Sequence, residues 1–251
     1  MIIVKNLCKS FNGKKVLNDI SVTFKAGKTN LIIGRSGSGK TVLLKSIVGL
    51  HEIESGEIWY GDTLFNKLNF VERKVIRSEM GMLFQGSALF DSLTVEQNVQ
   101  FPLDMFTDKS PEEKTDRVNF CLNRVDIINA NKLFPSELSG GMKKRVAIAR
   151  AISLNPKFLF CDEPNSGLDP LTAILIDALI KELTEEYCMT TIVNTHDMNS
   201  VMEIGEKIVF INEGNKCWEG NNNEILSSDC EILNDFVFAN SLAKKLKPKN
   251  K

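Results

Sequence analysis

The segment Gly34-Arg35-Ser36-Gly37-Ser38-Gly39-Lys40-Thr41 constrains this chain more than any other stretch. Its spacing is G-x-x-x-x-G-K-[ST]. It follows the apolar run Thr29 to Ile33 and precedes an apolar-periodic stretch, Val42 to Leu50. Strand, tight loop and helix in that order dictate a parallel α/β unit. Glycines let the loop curl so that backbone N–H groups point inward at phosphate oxygens, and the helix that follows adds its positive end. Lys40 is then placed to bridge the β- and γ-phosphates of a nucleotide, and Thr41 to offer a hydroxyl to Mg²⁺.

The rest of the chain supports that architecture. Ile20, Val22 and Phe24 alternate with polar residues as in a half-buried strand, and Thr29 to Ile33 reads as a buried parallel one. Glu57 to Tyr60, Met80 to Phe84, Phe158 to Cys161, Thr190 to Asn194 and Lys207 to Asn212 read as further strands. From about residue 86 to 155 the pattern is mostly helical. Thr94-x-x-Gln97 has the form of a capping box, and Ser110-Pro111-Glu112-Glu113 adds a second with proline at the first helical position. Val118, Cys121, Leu122 and Val125 mark one apolar face. The pattern reads as α/β with a mostly parallel sheet and an inserted α-helical subdomain. The domain spans 1–225, with the insert at about 86–155, and 226–251 forms a C-terminal extension.

Composition narrows the function classes. With 43% apolar and 25% charged residues, the 251-residue chain has ordinary globular composition. Its formal net charge of −1 argues against a general nucleic-acid binder. The six cysteines are scattered without a CxxC pair, which reads as reduced thiols in a cytosolic protein. No signal peptide is visible, and no apolar run approaches the roughly 20 residues that span a bilayer, so a membrane role must come through a partner. Five lysines among the last eight residues read as a solvated tail or as a contact for anionic lipid or an acidic partner.

Two further segments carry chemistry. Phe158-Leu159-Phe160-Cys161-Asp162 is an apolar strand ending in a carboxylate, which suits Asp162 to the Mg²⁺ shell. Glu163 is then placed beside the γ-phosphate, where it polarises the attacking water. Leu138-Ser139-Gly140-Gly141-Met142 is a second glycine-rich turn, offering a hydroxyl and bare amides to an anion. The chain already has one phosphate cradle, so the economical reading gives this turn to the nucleotide of another copy.

In their order along the chain, these motifs resemble the ATP-binding subunit of an ABC transporter, from about residue 2 to 220. Phe11 lies where the family puts an aromatic that stacks on adenine. Gln85 resembles the Q-loop glutamine, a ligand of the Mg²⁺ shell. Leu138 to Met142 resembles the signature, Asp162 and Glu163 the Walker B pair, Ser166-Gly167-Leu168-Asp169 the D-loop, and His196 the switch histidine. Asp169 also reads as a helix N-cap before Pro170. Asn165 and Val42 depart from the commonest residues without removing an assigned group. The resemblance implies that ATP sits between two head-to-tail subunits, with Ser139, Gly140 and Gly141 of one completing the site of the other. It implies a P-loop (RecA-like) core with an N-terminal antiparallel β subdomain. It also implies permease subunits as partners and a peripheral place on the cytoplasmic face of the inner (plasma) membrane.

Gln85 to Val95 looks like the lipid-transport branch, the Mla/Mce type, with Gly-x-Ala-Leu-Phe-Asp-Ser-Leu after the Q-loop glutamine. That likeness implies a phospholipid or related cargo and an Mce-domain lipid-binding partner. The alternatives are an ABC importer subunit for amino acids or another small solute, and an ABC ATPase of DNA repair or translation. The last group usually carries a long coiled coil or two cassettes in one chain, and this chain has neither.

Overall fold

The computed structural model describes residues 1–239. In chain order the strands are β1 (Ile2–Phe11), β2 (Lys14–Phe24), β3 (Lys28–Ile33), β4 (Ser55–Tyr60), β5 (Thr63–Leu64), β6 (Met80–Leu83), β7 (Phe158–Asp162), β8 (Thr190–Thr195), β9 (Lys207–Asn212) and β10 (Asn215–Gly220). The helices are α1 (Lys40–Ile47), α2 (Phe70–Ser78), α3 (Val95–Phe106), α4 (Pro111–Arg124), α5 (Gly140–Ile152), α6 (Pro170–Glu186), α7 (Met198–Ile204) and α8 (Glu231–Val237). The lysine-rich tail lies outside the described residues. Two compact units emerge: Met1–Asn69 together with the chain from Thr190 onward, and Phe70–Met189.

The first unit holds an antiparallel sheet in the order β2-β1-β4-β5. It also holds β3 paired in parallel with β8 on one side and β9 on the other, with β10 antiparallel to β9. A strand with parallel neighbours on both edges is buried on both faces, and Thr29 to Ile33 are buried without interruption. Asn30 is the polar exception in that run. Its side-chain amide donates to Lys25 O, Lys28 O and Thr191 O at 2.9–3.0 Å, and its Oδ1 accepts from the Lys25 N–H at 2.8 Å. With those bonds made, burying the amide leaves no donor or acceptor of the side chain stranded. Alternation is less regular in β1, because its pairing with β2 shifts register three times and Asn6 takes a left-handed conformation (φ 49°).

The second unit pairs β6 with β7 in parallel and packs α3, α4 and α5 on one another. Both capping boxes form. Thr94 and Gln97 exchange side-chain and backbone bonds at the start of α3, and Ser110 and Glu113 do so at α4. Val118, Cys121, Leu122 and Val125 are all buried, so the helical period read in the sequence is the packed face. The carbonyls at the end of α5 are taken by Arg117, which donates to Ile152 O at 2.7 Å and Ser153 O at 2.9 Å. Asp169 is the N-cap of α6, accepting from Thr172 N at 3.0 Å. Helix α2 has no counterpart in the sequence reading. None of its residues is buried, and Phe70, Val71 and Val75 are more than half exposed. No helix among the described residues is long and apolar enough to cross a membrane.

Candidate active site

In the first unit, Gly34 to Gly39 forms the loop between β3 and α1. Gly34 has φ 151°, and a Cβ there would stand 2.2 Å from Ile211 O, so only glycine fits. Gly39 is the N-cap of α1 with φ 106° and offers no side chain to the first-turn amides. No side chain of the N-cap residue therefore competes with an anion at this helix start. Ser38 Oγ is buried and has no hydrogen-bond partner among the described residues. A buried hydroxyl without a partner costs about 1–3 kcal/mol, so the loop is built for an acceptor such as a phosphate oxygen. Lys40 is also buried, its Nζ donating to Gly34 O at 2.8 Å and Arg35 O at 3.1 Å. Arg35, Ser36 and Gly37, at the crest, are exposed.

The β9–β10 turn braces this loop, which the sequence reading did not anticipate. Gly214 N–H donates to Ser38 O at 3.0 Å, while Gly214 O accepts from Asn18 N–H at 2.8 Å. Phe11 ends β1 and is partly exposed. Its ring meets His51 edge-on at 5.3 Å, and Lys9 Nζ lies 4.9 Å from the ring centroid. His196 follows β8 and is exposed, one residue before Asp197, the N-cap of α7.

In the second unit, Asp162 ends β7 and is buried, and Glu163 follows with φ 50°. A non-glycine residue held there stores about 1–3 kcal/mol, which the surroundings must supply. Gln85 follows β6 and is exposed. The structure gathers Gln85 and Glu163 around one side chain, Lys144 of α5. Its Nζ donates to Gln85 O at 2.5 Å and reaches Glu163 O at 3.5 Å. Burial pushes the Lys144 ammonium below its ordinary pKa, against the opposing pull of Cys161, Glu163 and Asp162. Arg150, further along α5, donates to Ala88 O at 2.7 Å and Ser87 O at 2.8 Å. Ser87 and Ala88 both have positive φ, 65° and 47°. The sequence reading gave neither cation a role of its own.

Ser139 caps α5, its Oγ accepting from Met142 N at 3.2 Å and keeping its own hydrogen for another acceptor. Gly140 and Gly141 form the first turn. An open cavity of about 640 Å³ is lined here by Ser139, Gly140, Gly141, Gly167, Leu168 and Asp169, all of this unit. A second cavity, about 390 Å³, lies among Phe84, Ala88, Phe90, Phe101, Pro102 and Arg150.

Comparison with known proteins identifies the family. The family model described as ABC transporter matches residues 17–166. The methionine import ATP-binding protein MetN of Clostridium tetani is 41% identical over 211 residues, 84% of this chain and 66% of that protein. The "Probable ribonucleotide transport ATP-binding protein mkl" of Mycobacterium leprae is 35% identical over 94% of this chain and 68% of its own length. The chain thus spans about two thirds or less of the MetN relative. The dimeric post-hydrolysis structure of the ATP-binding cassette MJ0796, bound to ADP and Pi, superposes with a TM-score of 0.80 at 34% identity, covering 88% of this chain and 99% of that one. A P-loop α/β fold matched over nearly nine tenths of the chain, with the family model across its centre, places this chain in the ABC transporter family.

Proposed function

We propose that this protein is the ATP-hydrolysing subunit of a membrane transporter, working as a homodimer on permease subunits from the cytoplasmic face of the plasma membrane. The observation that carries this is the loop Gly34 to Thr41, where a buried Ser38 hydroxyl without a partner among the described residues stands at the start of α1, which has glycine as its N-cap and so suits phosphate. Lys40, released from its loop carbonyls, pairs with the β- and γ-phosphates, and Phe11 stacks on adenine. Thr41, Asp162 and Gln85 supply hydroxyl, carboxylate and amide oxygens, a hard donor set that suits Mg²⁺. When bound, Mg²⁺ neutralises charge on the transferring phosphate. Glu163 polarises the attacking water and His196 hydrogen-bonds the γ-phosphate. Ser139, Gly140 and Gly141 of a second copy complete the γ-phosphate shell, for which the open cavity at the signature leaves room. The relatives support this reading: one solved cassette is a dimer holding ADP and Pi. The test is Mg²⁺-dependent phosphate release from ATP by the purified chain, and its absence at any protein concentration would overturn the proposal.

For the cargo, the relatives named for methionine import favour a small solute such as an amino acid. A second reading, lipid transport with an Mce-domain partner, rests on Gly86 to Leu93. That segment supplies Ala88 and Phe90 to the apolar cavity beside α3 and α5, where a permease helix would dock. Purification from membranes in mild detergent separates the two. A solute permease without an Mce-domain protein supports import, and recovery of an Mce-domain protein with bound lipid supports the second reading.

A further inference from the structure

We infer that Lys144 is a positioning residue for hydrolysis, holding Gln85 and Glu163 in one arrangement from the helix that carries the signature. This rests on the ATPase reading above. Lys144 lies in the second turn of α5, whose first residues follow Ser139, and it is 4% exposed. A buried ammonium without hydrogen-bond acceptors is costly, so its partners are part of its design. Those partners are two backbone carbonyls, of Gln85 and Glu163, to which the ATPase reading gives the Mg²⁺ shell and the attacking water. The bond to Gln85 O is short, at 2.5 Å, and charge-assisted. The contact with Glu163 O, at 3.5 Å, adds to the Ser166 N–H bond at 3.1 Å on the same carbonyl. Glu163 needs such support because its backbone is left-handed.

The consequence is a mechanical link. A displacement of α5, whose N-cap is Ser139, carries Lys144 with it and shifts Gln85 and Glu163 together. Engagement of the signature by a second copy's nucleotide thereby sets the geometry of hydrolysis in the chain that offers the signature. Residues 87 and 88 are held separately by Arg150, so changing Lys144 frees Gln85 without releasing the whole segment. That makes folded variants attainable.

The test uses steady-state ATPase kinetics on the full chain, with ATP affinity and thermal melting measured alongside. Lys144→Met keeps the apolar stem and removes every donor, and Lys144→Arg keeps a cation able to reach two carbonyls. Because a misplacement of about 1 Å costs up to 100-fold in rate, we expect Lys144→Met to lower kcat at least tenfold with KM changed less than about twofold. Lys144→Arg should stay within about threefold of wild type. A Lys144→Met variant with wild-type kcat overturns the inference. So does a folded Lys144→Arg that falls as far as Lys144→Met, since shape rather than donated bonds would then decide. Loss of kcat in proportion to loss of folded protein also overturns it. A wild-type chain that releases no phosphate sinks the ATPase reading instead.

Discussion

Two kinds of loop in this protein hold backbone groups in conformations that most residues avoid, and they do so by different means. Gly34 to Gly39 uses glycine itself. At Gly34 a Cβ would collide with Ile211 O, and at Gly39 the left-handed cap is reached without a side chain. Ser87, Ala88 and Glu163, in two other loops, have no such freedom. Ser87, Ala88 and Glu163 all carry a Cβ at positive φ, and cations from α5 donate to their carbonyls. The first kind is shaped by what its own residues lack, the second by side chains far away in the chain. The glycine loop is braced by backbone, from Gly214 in the β9–β10 turn. A loop held by Lys144 and Arg150 moves when their helix moves, which suits a region that must respond to a partner.

The contrast can be broken by substitution. The largest effect is expected at Gly34→Ala, where the new methyl meets Ile211 O at 2.2 Å. The cost should be about 3 kcal/mol, read as a fall in Tm of about 10 °C. A melting curve within 2 °C of wild type, on the scale of roughly 2–4 °C per kcal/mol, would show that the loop is not shaped by its glycine. Next is Lys40→Met. It removes a buried cation proposed to pair with phosphate, and ATP affinity measured by fluorescence titration should fall about 100-fold, equal to about 2.7 kcal/mol. An unchanged Kd would place the nucleotide elsewhere.

Arg150→Met probes the second kind of loop. It leaves Ser87 O and Ala88 O without their donor, at a cost of about 2 kcal/mol. Amide exchange should speed up in residues 86–90 while the Gly34 to Thr41 loop keeps its protection. Equal acceleration in both would mean that they are not held independently.

The smallest effect concerns pH. Burial pushes the Glu206 carboxyl upward, but bonds from Lys28 Nζ, the Thr29 N–H and Thr29 Oγ outweigh it and leave the pKa below the ordinary 4.5. A carboxyl depressed in the folded state contributes stability above its unfolded pKa and loses it as pH falls through the folded value. Glu206→Gln should therefore lower Tm at pH 7 slightly and flatten the fall in Tm below about pH 4.5. An acid limb as steep as that of wild type would mean that Glu206 contributes nothing to it.

The same contrast explains what was legible in the sequence. Thr29 to Thr41 was readable because strand, glycines and helix are contiguous and each leaves its own local mark. The capping boxes at Thr94 and Ser110 were readable for the same reason, since both partners lie within four residues. Lys144 and Arg150 left no mark, because their carbonyl partners lie 59 residues away at Gln85 and 62 and 63 away at Ala88 and Ser87. In the linear pattern Lys144 is one basic residue in Met142-Lys143-Lys144-Arg145, and nothing separates it from its neighbours. The brace from Gly214 is equally non-local. Motif order identified the family, while the holding contacts needed the fold.

The central claim is that Glu163 polarises the water that attacks ATP. It is tested most directly by comparing ATP binding and steady-state phosphate release in wild type and Glu163→Gln. Glutamine keeps the size and loses the carboxylate, so binding should stay within about twofold while release falls at least about 1,000-fold. Release near the wild-type rate with binding intact would contradict the account.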